Sequence, residues 1–80
     1  MTTKKKKPQL SIIQCRMARI GLGWGIKELA EIADVSPNTV SRFERGENMH
    51  RRSIKALKEA LEEGGAEFVD DNGVIIKESQ

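Results

Sequence analysis

Residues 27–47 read KELAEIADVSPNTVSRFERGE, and this stretch decides the fold. Its apolar residues step at helical spacing, with Leu29, Ala30 and Ala33 sharing a face with Ile26 just upstream. A helix over 26–33 follows. Asp34, Val35 and Ser36 then read as a three-residue turn. Ser36 is a good N-cap, and Pro37 stands at the first helical position, where a missing N–H costs nothing. The spacing predicts a next helix over 37–45 that stops before Gly46. Val40 and Phe43 point inward from it; Asn38, Thr39, Ser41, Arg42 and Arg45 point outward. Ala30 is small where the two helices would cross. Two short helices on a tight turn, the second opening with hydrogen-bonding side chains, make a helix-turn-helix suited to a major groove.

Upstream, Leu10, Ile13, Met17 and Ile20 form a helical stripe, with Cys15, Ala18 and Leu22 beside it. Ser11 is the candidate N-cap of this first helix, and the glycines at 21–23 end it. Trp24, between Gly23 and Gly25, is placed to plug the corner between helices. Downstream, the basic loop Met49–Arg52 leads to a fourth helix over 52–63, with Ile54, Leu57 and Leu61 inward and Gly64-Gly65 at its end. The period then changes. Glu67-Phe68-Val69 and Val74-Ile75-Ile76 flank Asp71-Asn72-Gly73, and Asn-Gly between β-rich runs signals a hairpin. The expected fold is therefore mainly α: four helices around a helix-turn-helix, with a short C-terminal β-hairpin or strand. The expected organisation is a flexible basic arm over 1–9, the helical domain over 10–64, and a β segment over 65–80.

Eighty residues hold one small domain, and the net charge of +2 is an average over two unlike parts. Residues 1–60 carry 13 basic and 6 acidic side chains, giving +7; residues 61–80 carry 1 and 6, giving −5. A basic body points to a polyanionic partner. Lys4–Lys7 extend that charge, either as a solvated tail or as an arm along a phosphate backbone. One cysteine, Cys15, forms no internal disulfide, and His50 alone assembles no Cys/His zinc site. Gly21, Gly23 and Gly25 fit neither a P-loop nor a dinucleotide fingerprint, so no metal and no cofactor is expected. The longest uncharged run, Pro8–Cys15, is too short to span a bilayer. These features lead us to expect a cytoplasmic protein without a membrane segment. No nucleophile–base set falls on facing elements, so no catalytic residue and no enzyme activity is expected.

The pairs Leu29-Ala30, Val35-Ser36, Val40-Ser41 and Phe43-Glu44, with Gly46, resemble the DNA-binding helix-turn-helix of the phage Cro/C1 repressor family, also called Xre. The resemblance covers residues 13–62. Leu22-Gly23-Trp24 and Glu67-Phe68-Val69 further resemble a subgroup of short bacterial regulators that end in a β segment. It implies a λ-repressor-like domain and assigns roles residue by residue. Asn38, Thr39, Ser41 and Arg42 match base-reading positions of the recognition helix. Asn38 suits adenine N6/N7, and Arg42 suits guanine O6/N7. Lys27, Ser36, Arg45, His50, Arg51 and Arg52 match places that approach phosphates. Arg19 and Glu44 match a buried ion pair that ties the first helix to the end of the third. The chain departs from the family in three places. Gly25-Ile26 replaces a Ser or Thr followed by a Gln that normally supports a phosphate contact. Asp34 takes a turn position usually given to Gly, and Pro37 replaces a polar residue.

One such unit makes few base contacts, and a homodimer on a palindromic double-stranded operator doubles them. Phe68, Val69, Val74, Ile75 and Ile76 are too apolar for a free tail; this segment is expected to pack on the body and also to supply the dimer surface. The expected function is sequence-specific transcriptional regulation, as a repressor. Two alternatives remain: an antitoxin whose C-terminal segment binds a toxin, and a protein-interaction module without DNA binding.

Overall fold

The computed structural model describes residues 10–70 and 72–77. The basic arm expected over 1–9 lies outside the described residues. Four helices and one two-stranded antiparallel sheet follow in order: α1 (Ile12–Gly21), α2 (Ile26–Ala33), α3 (Pro37–Glu44), α4 (Arg51–Gly64), β1 (Ala66–Val69) and β2 (Gly73–Ile76). The chain is mainly α, as its periodicity predicts, and the helix bounds agree to within a residue.

Local chemistry explains each junction. Ser11 caps α1: its Oγ accepts from the Gln14 N–H at 3.2 Å, and Gln14 Oε1 accepts from the Ser11 N–H at 3.2 Å. Asp34 ends α2 in the left-handed conformation, φ 63°, which a short polar side chain tolerates better than most. Ser36 Oγ accepts from the Thr39 N–H at 3.1 Å, opening α3 two residues after α2 closes. Gly65, at φ 117°, ends α4. Its carbonyl accepts the Lys77 N–H at 2.8 Å, which locks the sheet to that helix end.

The core gathers Leu10, Cys15, Ala18, Leu29, Val40, Phe43, Leu57 and Leu61 with Ala30, Ala33, Ala60 and Ala66. Small residues let the helices approach, and Leu29, Leu57 and Leu61 fill the centre. Trp24 packs against the last turn of α4, where a Cβ on Gly64 would meet Trp24 Cη2 at 2.6 Å. The corner role read from sequence is thus a contact with α4.

The structure decides which faces of α1 and of the hairpin are turned inward. The stripe Ile13, Met17, Ile20 does not face the core: these side chains are 51%, 41% and 65% exposed, and the buried residues of α1 are Gln14, Cys15 and Ala18. Two stripes of helical period coexist on α1, and volume chooses between them. Only Cys15 and Ala18 are small enough for the close approach, and Gln14 Nε2 donates to the carbonyls of Asp70 and Gly73 at 3.0 Å each. An apolar side chain there would leave those hairpin carbonyls without that donor.

The hairpin packs on the body, as expected, and its register decides which residues do so. The register pairs Ala66 with Ile76 and Phe68 with Val74, and these positions face the body; Glu67–Ile75 and Val69–Gly73 face outward. Phe68, Val74 and Ile76 therefore pack on the core rather than forming a free apolar surface. Val69 and Ile75 are the members of that set left exposed. Gly73 joins the strand, and Asp70, φ 53°, is a left-handed residue of the turn. Carrying Phe68 and Val74 inward together sets this register.

Candidate nucleic-acid interface

α3 is held by both its ends and by its inner face. Val40 and Phe43 are buried against the core, and Ser36 caps the start. The far end is tied by Glu44, whose side chain is 6% exposed. Arg19 grips it in a fork: Nε donates to Oε2 at 2.9 Å and Nη2 to Oε1 at 3.0 Å. The remaining Arg19 Nη1 donates to the Trp24 carbonyl at 3.2 Å, so one guanidinium joins α1, the α1–α2 corner and α3. Hydrogen bonding to Glu44 raises the Arg19 pKa above the ordinary value. Cys15 Sγ lies 3.5 Å from Glu44 Oε2, and burial, reinforced by that carboxylate, pushes the thiol up to about 12.

With α3 so fixed, its outer face is polar. Asn38 and Arg42 are exposed, while Thr39 and Ser41 are half-buried. Thr39 Oγ1 stands 3.0 Å from Ser36 Oγ and shares the capping. An open cleft of about 410 Å³ lies between α3 and the start of α4, lined by Thr39, Arg42, Asn48, Met49, His50 and Ser53. It brings Thr39 and Arg42 together with His50. Asn48 and Ser53 are polar liners that the sequence reading did not single out. Lys27 is exposed in the first turn of α2, and Arg51 and Arg52 are exposed in the first turn of α4. None of these three residues lines that cleft. The N-cap of α2 is Gly25, which has no side chain to reach a ligand; Glu28 Oε1 accepts the Gly25 N–H at 2.7 Å instead.

The sequence reading missed Glu47. Beyond Arg45, Gly46 takes φ 93° and donates its N–H to the Phe43 carbonyl, and Glu47 donates its N–H to the Arg42 carbonyl, both at 3.0 Å. This pair of bonds is a Schellman closure. It sets Glu47 beside Arg42, and the carboxylate spans two arginines. Arg42 Nε donates to Oε1 at 2.9 Å and Arg45 Nη2 to Oε2 at 3.0 Å. The hydrogen bonds from Arg42 and then Arg45 hold the Glu47 carboxyl below its ordinary pKa. The signal available in sequence was Gly46 itself. A glycine just past a helix end puts the following residue next to the one five positions back.

Among the described residues no group of three His, Cys, Asp or Glu side chains is placed to hold a metal ion. No helix among them is long and apolar enough to cross a membrane. A helix-turn-helix family model matches residues 16–62, more than half of the chain. No curated protein matches it.

Proposed function

The chain belongs to the Cro/C1-type (Xre) helix-turn-helix family of DNA-binding regulators, and on that premise we propose that it is a sequence-specific transcriptional repressor. In this reading it binds a palindromic double-stranded operator as a homodimer, without catalysis, in the cytoplasm. The observation that carries it is the outer face of α3. A helix fixed at both ends presents Asn38 and Arg42 outward, and Arg42 lines a cleft together with Thr39 and His50. Rigid display of bidentate donors is what base reading requires. Asn38, Thr39, Ser41 and Arg42 read bases; Lys27, Ser36, Arg45, His50, Arg51 and Arg52 contact phosphates. The outer sheet face, with Val69 and Ile75 exposed, supplies the contact between copies.

Selection of bound sequences from random duplexes tests this reading. The wild type should enrich one motif with two half-sites, and its binding should fall steeply with added salt. Enrichment of no motif overturns it. One observation favours a second reading. The antitoxin reading places the toxin on the C-terminal segment, where Val69 and Ile75 are exposed, and the exposed Ile13, Met17 and Ile20 of α1 offer a second apolar face for a protein partner. A stable stoichiometric complex with a co-encoded protein would select it.

A further inference from the structure

Glu47 puts a negative charge within the face proposed to meet DNA. Its place is built, because the backbone bond from its N–H to the Arg42 carbonyl is part of the cap that Gly46 makes possible. That bond fixes the Glu47 backbone at the end of α3, within reach of the Arg42 side chain. The contact is also selective in which nitrogen it takes. Glu47 Oε1 engages Arg42 through Nε, and among the described residues neither Nη of Arg42 has a partner. A guanidinium held by Nε leaves its two terminal amino groups as an end-on fork, the shape that pairs with guanine O6 and N7. The other carboxylate oxygen holds Arg45.

We propose that Glu47 is a positioning residue for base reading: it braces Arg42 by Nε so that the free end of the guanidinium meets a guanine edge. Its charge also weakens, without abolishing, the attraction of Arg42 and Arg45 for phosphates of arbitrary sequence. The inference rests on the DNA-reading function proposed above and assigns Glu47 a part in its specificity. Bracing removes freedom that an unrestrained arginine side chain would lose on binding, which favours the operator complex. The charge acts on the other side of the ratio. Two arginines sharing one carboxylate attract a phosphate backbone less than two free ones, which disfavours binding to arbitrary sequence.

The test uses the full chain, the duplex it enriches from a random pool, and a scrambled duplex of equal composition. In Glu47→Ala the ratio of enriched to scrambled affinity should fall about threefold to tenfold, as expected from freeing one long side chain. Scrambled-duplex binding should tighten, and its salt dependence should steepen by about one phosphate contact. Glu47→Gln keeps an acceptor for Nε without the charge. It should tighten scrambled binding as Glu47→Ala does while retaining more of the affinity for the enriched duplex. A purely structural role for Glu47 would instead weaken both affinities in parallel and lower the melting temperature. That result, or an unchanged ratio in both variants, overturns the brace. If the wild type enriches a motif and Arg42→Ala relaxes one position in it, an unchanged ratio sinks only the brace. If the wild type enriches nothing, the brace falls together with the DNA-reading function.

Discussion

α1 and α3 both turn a broad face to solvent, and the two faces are chemical opposites. α3 exposes Asn38 and Arg42 and keeps Val40 and Phe43 inside. α1 exposes Ile12, Ile13, Met17 and Ile20 and keeps Gln14, Cys15 and Ala18 inside. On α3, pattern and burial agree, so the outer residues are left over for a ligand. On α1 they disagree, and the disagreement has a cause: the interior there needs small side chains and one amide. The lesson is that a helical stripe of large apolar residues marks a face to be covered without saying what covers it. Protein core and external partner leave the same periodicity in the sequence.

The largest expected effect falls on the joint between the two helices. Glu44→Ala strands the Arg19 guanidinium, which makes three hydrogen bonds to Glu44 and the Trp24 carbonyl. Breaking one side of a buried pair costs about 3–5 kcal/mol. A thermal melt followed by circular dichroism should show a fall of well over 10 °C for a chain this short. Alkylation gives a second reading of the same joint. In the wild type the Cys15 thiol is buried and pushed up to about 12, first by burial and then by Glu44. It should react slowly while the chain is folded and rapidly in the variant. An unchanged melt together with an unreactive thiol would show that α1 and α3 hold together without the pair.

Arg42→Ala comes next and acts on α3 alone. The pair with Glu47 is exposed, so its loss should leave the melting temperature nearly unchanged. Discrimination at one base position per half-site should fall by about 1–3 kcal/mol. A melt that drops as far as that of Glu44→Ala would make Arg42 a structural residue and remove the contrast between the helices. Ser36→Ala is smaller still. It removes the side-chain cap on the Thr39 N–H and should cost about 1 kcal/mol in a urea titration.

Much of this was legible in the sequence, and the reasons are local. Ser36-Pro37 announces the start of α3, Gly65 the end of α4, and the change from helical to alternating period announces the sheet. The outer face of α3 was readable because polar and apolar residues alternate on α3 at a single helical phase. Three features were hidden. The inward phase of α1 depends on Gln14 reaching Asp70 and Gly73, residues more than fifty positions away. The inward turn of Phe68, Val74 and Ile76 depends on which side of the sheet the helices lie. Glu47 looked like one more charge in a charged loop. Its neighbourhood comes from the backbone path through Gly46, which spacing on a helical wheel does not represent.

The smallest effect on stability sharpens the comparison most. Ile20 and Ile75 are 65% and 50% exposed, one on α1 and one on the outer face of β2. Replacing either by Lys should lower the melting temperature far less than Glu44→Ala does, since half or more of each side chain is already in solvent. Their effects on assembly should differ. A homodimer joined through the outer sheet face predicts that Ile75→Lys halves the mass measured by light scattering, while Ile20→Lys leaves it unchanged. A charge at the centre of an apolar contact is costly, so the affected variant should dissociate outright rather than weaken slightly. The reverse result, with Ile20→Lys monomeric and Ile75→Lys intact, moves the contact to α1 and leaves the sheet's outer face free. A mass unaffected by either, with the wild type already monomeric, would free the α1 stripe of any role between copies. The apolar face of α1 would then call for a different protein. The two helices would thus be told apart by what each meets: bases on α3, protein on α1.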